Sequence, residues 1–185
     1  MKKFIIVNSS PRKGGNSDCI TDLAVKELTA AGAEVEVFKI REKKVGNCIA
    51  CNSCKATDVC VQKDDAADLI AKATKADGIL FVNPVYFGQM TGTMKTLLDR
   101  FYVLFNPAKG MKTPSAERKC GIVLTFGSMP EEKAAKAADA FGAYAGVAGY
   151  GDLKVALCGG QNPPDAFANS PENQAKVLEL LGWIK

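Results

Sequence analysis

The chain has 185 residues, 47% hydrophobic and 24% charged, which suits one ordinary globular unit with a real core. Its net charge of +4 is spread along the sequence rather than gathered into a basic run, which argues against nucleic acid as a partner. It has no histidine, so it lacks the usual general base near neutral pH, and a hydrolytic triad is a poor reading. At the N-terminus, Phe4–Val7 is too short for the apolar region of a signal peptide. No apolar run approaches the length of a membrane span. The expectation is a cytoplasmic protein whose seven cysteines are thiols or metal ligands rather than disulfides.

In chain order, Phe4–Val7 reads as a first strand that ends at Asn8. Ile20, Leu23, Ala24 and Leu28 then mark a helix that stops near Gly32. Val35, Val37 and Ile40 alternate with polar residues as a second strand. Ala66, Leu69, Ile70 and Ala73 form a second helical stripe, and the apolar run Gly78–Val82, stopping at Pro84, is a third strand. Met94, Leu98, Phe101 and Phe105 lie on a helix closed by Pro107, and Lys109–Glu117 reads as a loop. Ile122–Thr125 is a fourth strand, followed by a small-residue helix carrying Ala134, Ala138, Phe141 and Ala145. Leu153–Leu157 is a fifth strand and Ala175–Ile184 a terminal helix. Residues 158–171 form a Pro/Gly-rich excursion on the ligand side. Five strands with intervening helices match a doubly wound, flavodoxin-like three-layer α/β sandwich, a parallel sheet of order 2-1-3-4-5. A single domain spanning 1–185 is expected, with a cysteine-rich insertion at about 41–64.

Three segments carry chemistry. Cys48, Cys51, Cys54 and Cys60 are spaced C-x2-C-x2-C-x5-C, close enough to wrap one soft centre. Without histidine the mixed Cys/His zinc patterns are excluded, and an all-thiolate site points to an iron–sulfur cluster. A four-thiolate zinc site and a set of free thiols compete with it. No proline follows Cys60, so the two-cluster ferredoxin pattern is absent. Cys19, Cys120 and Cys158 read as core thiols, although Cys158 ends a strand on the functional rim.

After the first strand comes NSSPRKGGNSD. Gly14 and Gly15 admit close backbone approach, and Ser9, Ser10, Asn16, Ser17 and Arg12 offer donors at a helix N-terminus. The segment is neither G-x-G-x-x-G nor a P-loop, which leaves one terminal phosphate, or else a plain strand-to-helix turn. Asp18 fits poorly beside a phosphate and is expected to face solvent. The third strand ends in NPVYFGQMTGTMK, at the switch point where such sheets bind ligands. Tyr86, Phe87 and Gly88 offer a flat contact for a heterocycle, with Thr125–Pro130 as a third side; the competing reading makes the two aromatics plain core.

NSSPRKGGNS and NPVYFGQMTGTMKTLLDRF together resemble the NAD(P)H-dependent FMN reductase branch of the flavodoxin-like superfamily. The cysteine segment looks like that of its iron–sulfur flavoprotein subgroup, which carries FMN and a [4Fe–4S] cluster. The likeness covers roughly the first hundred residues; the last third matches only in its pattern of elements. It implies an oxidoreductase with flavin-borne chemistry and no catalytic side chain. Ser9, Arg12, Asn16 and Ser17 would hold the FMN phosphate, and Pro84, Val85, Tyr86, Phe87 and Gly88 would line the ring. Thr125 and Gly127 follow by loop position. Asn8 departs from a common glycine, and asparagine tolerates unusual backbone angles. The resemblance further implies a homo-oligomer, dimer or tetramer, with NAD(P)H as co-substrate and ferredoxin or a quinone as electron partner. A cluster at the end of the second strand is expected across the phosphate end from the ring, so the working flavin–cluster pair should form between subunits. The rivals are a cluster-free FMN or quinone reductase and a flavodoxin-like carrier; carriers of that kind are commonly strongly acidic, which the net positive charge disfavours. Lys95, Asp99 and Arg100 read as surface ion pairs.

Overall fold

The computed structural model describes residues 1–110 and 113–185. Five strands, β1 (Lys3–Asn8), β2 (Glu34–Lys39), β3 (Gly78–Pro84), β4 (Ser115–Thr125) and β5 (Tyr150–Cys158), form one parallel sheet of order β2-β1-β3-β4-β5. The helices are α1 (Asn16–Ala30), α2 (Ser53–Thr57), α3 (Asp65–Ala73), α4 (Gly92–Asp99), α5 (Glu131–Ala135), α6 (Asp139–Val147) and α7 (Pro171–Ile184). The expected flavodoxin-like α/β architecture is therefore the observed one.

Alternation along the strands sorts the core into two layers. Phe4, Ile6, Leu80, Val82 and Val123 pack against α1 and α7. Ile5, Val7, Ile79, Phe81, Ile122 and Leu124 pack against α3, α4 and α6. Both faces of the sheet are covered, which is why β1, β3 and the end of β4 read as continuous apolar runs, whereas the edge strand β2 alternates with polar residues. Among the described residues, no helix is long and apolar enough to cross a membrane.

Three elements differ from the sequence reading. The loop expected at Lys109–Glu117 ends early, because β4 begins at Ser115; residues 111 and 112 lie outside the described residues. The polar half of β4 hid it: Arg118 bonds the carbonyls of Ala73, Ala76 and Ala148 and lies over the Tyr150 ring, so a charged residue sits in an ordered strand. The helix through Phe105 stops at Asp99 and tightens into a 3-10 segment, Arg100–Leu104. The small-residue helix is likewise two helices, α5 and α6, joined by a 3-10 turn at Lys136–Ala138.

Candidate functional site

Two cavities lie at opposite ends of α4. The first is a cleft at the carboxyl ends of β1, β3 and β4, with a volume of ≈ 160 Å³. Of the residues singled out from sequence, Arg12, Asn16, Ser17, Pro84, Val85, Tyr86, Thr125 and Gly127 line it. Ser10, named among the loop donors, and Phe126, within the Thr125–Pro130 side, line it too; Gln161 and Asn162 were anticipated only through the general placing of 158–171 on this side.

Ser9 does not line the cleft. It is buried, and its hydroxyl donates to Asn83 Oδ1 at 2.8 Å, locking the β1 loop to the end of β3. Asn16 reaches the cleft, but its amide is used elsewhere. Nδ2 donates to the carbonyls of Gln161 (3.0 Å) and Pro163 (2.7 Å), while Oδ1 accepts from Phe167 N–H (2.9 Å). Asn16 therefore staples the 158–171 excursion to the start of α1. Arg12 reaches the same excursion through the Asn162 carbonyl, 3.2 Å away. Gly127 leaves room for the Asn162 side chain, which a Cβ there would meet at 2.1 Å and displace.

Asp18 does not face solvent as expected; it is 6% exposed. Its carboxylate accepts from Gly14 N–H (2.7 Å), Arg41 Nη2 (2.9 Å) and Asn8 Nδ2 (3.0 Å), with Lys39 Nζ 3.7 Å away. Burial pushes this carboxyl up, but Gly14, Arg41 and Lys39 outweigh burial and hold it below the usual carboxylate range. A negative charge beside an anion loop is thus neutralised by two cations from β2 and the turn after it. Arg41 also bonds the Ser10 carbonyl at 3.2 Å, gripping the loop from outside. Asn8 contributes through its side chain, bonding Ser17, Asp18, Thr21 and Ser10, rather than through unusual backbone angles. The first N–H groups of α1, behind Gly15, have no partner within the helix, and such a helix start favours an anion.

Tyr86 and Phe87 are not core. Tyr86 is 44% exposed and Phe87 wholly so. Tyr86 and Gln89 exchange backbone hydrogen bonds of 2.9 and 3.0 Å around Phe87–Gly88, both at positive φ (52° and 77°). This two-residue turn requires φ > 0 twice, and it carries Phe87 and Gly88 off the cleft wall. The strained turn presents an aromatic outward, as turns at functional sites do. One buried acceptor, Gln161 Oε1, has no partner and lies on the cleft wall, so the site lacks a donor there.

The second cavity is narrow, ≈ 20 Å³, and is lined by all four cysteines of the motif together with Arg100, Tyr102 and Val103. Cys48 and Cys51 are exposed and Cys54 and Cys60 partly so, all as free thiols. Ala50, Asn52 and Asp58 adopt left-handed backbone within this loop. Ser53 N–H and hydroxyl hold the Cys51 thiol below its usual range. The loop does not stay beside β2. It crosses to α4, where Thr96 bonds Asn47 (3.1 Å) and Lys55 reaches the carbonyls of Tyr102 and Phe105. The thiols therefore stand at the far end of α4 from the ring loop, about 12 Å along eight helical residues. Among the described residues, no three Cys, Asp or Glu side chains are gathered closely enough for a single metal ion. Cys120 and Cys158 are fully buried and inert, with burial pushing Cys158 up to about 12.

The chain thus combines a glycine-bearing loop at a helix start, a strand-end cleft and an aromatic turn at the switch point of its sheet. Residues 1–150 match the family model described as NADPH-dependent FMN reductase. The chain belongs to the NADPH-dependent FMN reductase family. As a member of this FMN reductase family it is an FMN-linked oxidoreductase. It is 34% identical to an iron-sulfur flavoprotein of Archaeoglobus fulgidus over 99% of this chain and 91% of that protein. An iron-sulfur flavoprotein of Methanosarcina thermophila is 33% identical over 68% of this chain and 63% of its own length. Among solved structures, an FMN-dependent NADH-azoreductase from Bacillus anthracis in complex with FMN shares the fold. Its TM-score is 0.70 at 12% identity, over 99% of this chain and 98% of that one.

Proposed function

We propose that this FMN reductase family member carries FMN in the strand-end cleft and a [4Fe–4S] cluster on Cys48, Cys51, Cys54 and Cys60. The observation that carries the reading is the presence of two lined sites in one fold: the candidate flavin residues share the strand-end cleft, and all four cysteines of the motif share the second cavity. The donor chemistry fits both groups. The cleft offers helix N–H groups, Ser10, Arg12 and Ser17 for a phosphate, and an orphaned Gln161 acceptor for a ring N–H. The thiol cavity offers only sulfur ligands, which suit iron–sulfur chemistry.

When bound, a flavin would supply two-electron exchange and a cluster one-electron exchange, which would suit coupling NAD(P)H to a one-electron carrier. The chain's residues bind and orient. Ser10, Arg12 and Ser17 hold the phosphate, while Ser9 and Asn16 position the loops behind it. Pro84, Val85 and Tyr86 wall one side of the ring, Thr125 and Gly127 the other, and Phe87 and Gly88 form the rim. No side chain acts as nucleophile or general base. The chain acts as one FMN-binding unit in the cytoplasm, with residues 41–64 as its cysteine insertion, and passes electrons to or from ferredoxin or a quinone. Exposed Ile49, Val59, Val61 and Phe87 surround the two sites and favour a dimer or tetramer in which a second copy covers them. The exposure of Cys48 and Cys51 favours a flavin–cluster pair made between subunits.

The test is an anaerobic absorption spectrum with iron and sulfide assays on the same sample. A flavin spectrum over broad brown absorption, with about four irons and four sulfides per chain, is expected. Cys51→Ser should abolish the brown component and leave the yellow one. A wild-type protein that stays purely yellow after reconstitution would instead be a cluster-free reductase.

A further inference from the structure

We propose that Arg100 is a positioning residue for the cysteine site. It ties both ends of the cysteine loop together and aims its charge at Cys60, which raises the reduction potential of the centre held there. This rests on the reading that the four thiolates bind an iron–sulfur cluster.

Arg100 was expected on the surface, paired with its helical neighbours. Lys95 and Asp99 do pair there, 2.5 Å apart, but the Arg100 side chain is wholly buried. Its guanidinium lies between the two ends of the loop. Nη1 donates to the Gly46 carbonyl (2.9 Å), two residues before Cys48, and to Asp64 Oδ2 (2.6 Å). Nη2 donates to Asp64 Oδ1 (3.0 Å), to the Gln62 carbonyl (3.4 Å) and to Cys60 Sγ (3.2 Å). Asp64 completes the clasp. Its carboxylate also accepts from Gly46 N–H (2.9 Å) and caps α3 through Ala67 N–H (3.3 Å).

A buried ion pair is a poor way to gain stability, because apolar residues of the same volume often serve as well or better. A buried guanidinium touching a metal ligand has a second use. Hydrogen bonds to cluster sulfurs and local charge set iron–sulfur potentials. Cys60 is the ligand that receives such a bond, on the side of the cavity that faces the protein interior. The bond stabilises the reduced, more negative state of the centre more than the oxidised one. Asp64 opposes this effect with its own charge while fixing the guanidinium in place. Arg100 also follows directly on α4, the helix that starts beside the ring loop, so the clasp fixes the thiol site relative to the flavin cleft.

Two variants separate tuning from simple stapling, read by potentiometric titration followed by electron paramagnetic resonance, with iron and sulfide assayed on the same samples. Arg100→Met removes the donor and the positive charge. Its one-electron reduction equilibrium is expected to fall at least tenfold, a shift of about 59 mV to more negative potential. Asp64→Asn keeps the cap and frees the guanidinium charge, so its potential should move the opposite way. Arg100→Lys should restore part of the shift. A role confined to folding predicts iron loss without these opposite displacements. If Arg100→Met fails to hold iron, Asp64→Asn alone decides: an upward shift supports the proposal, and no shift or a downward one overturns it. If wild type holds its cluster and neither variant moves the potential, the proposal fails while the cluster reading stands. If wild type holds no cluster, both fail.

Discussion

Asp18→Ala is expected to cost about 3 kcal/mol of folding stability and to weaken FMN binding at least tenfold. The carboxylate is the centre of a buried network rather than a solvated first-turn acid. Its removal leaves Arg41, whose side chain is 11% exposed and whose Nε already lacks a partner, only the half-exposed Glu42 as counter-charge at 3.2 Å, and leaves Lys39 nearby without its own. Breaking one side of a buried pair leaves an uncompensated charge, which is the costly case. The loop suffers as well, because Gly14, at φ 67°, loses the acceptor that fixes its N–H. Asp18→Asn should fall between the two, keeping some bonds and losing the charge. The effect also carries a pH signature. The folded carboxyl lies below its ordinary 3.8, so its stabilisation is complete above that value and is lost as pH falls through the folded one. Urea midpoints of wild type and Asp18→Ala should therefore stay a constant distance apart at neutral pH and converge below pH 3.8. A gap that persists unchanged in acid would contradict this account.

Asp18 also marks the limit of what the sequence discloses. The sheet order was legible because strands covered on both faces must be apolar, and each such run here is short and bounded by Gly, Pro or Asn. Both loops of the cleft were legible too, since each follows directly on a strand and its composition announces it. Contacts between distant segments were not. Nothing at position 18 reveals that Lys39 and Arg41 will neutralise it, and nothing in the i, i+4 spacing around Arg100 reveals Asp64 as its partner. Ser9 and Asn16 were read by type as phosphate donors, yet packing commits both side chains to other loops. Gln161 and Asn162 carried no motif, and only the placing of their whole segment on the ligand side hinted at them. The strand start at Ser115 was hidden by charge, because Arg118 finds its acceptors in segments far away in sequence.

Asn16→Ala should therefore act through the 158–171 excursion rather than through a lost phosphate contact. The amide makes three bonds to that segment, to the Gln161 and Pro163 carbonyls and to Phe167 N–H. Leaving such groups unpaired costs roughly 1–3 kcal/mol each when they stay buried, less where water can reach them. A local loss of about 3 kcal/mol is the expected sum, taken up as opening of the loop rather than as global unfolding. That corresponds to about a hundredfold rise in hydrogen exchange of the Phe167 amide, since each 1.4 kcal/mol is a factor of ten. Global stability should change much less, because β1, α1 and the sheet core remain packed. FMN affinity should fall in parallel, because the opened segment carries Gln161 and Asn162 away from the cleft wall. Hydrogen exchange and flavin titration on one preparation test the link. Loss of FMN binding with the loop still protected would mean that the Asn16 amide turns to the phosphate itself, and the staple would then be the wrong reading of this side chain.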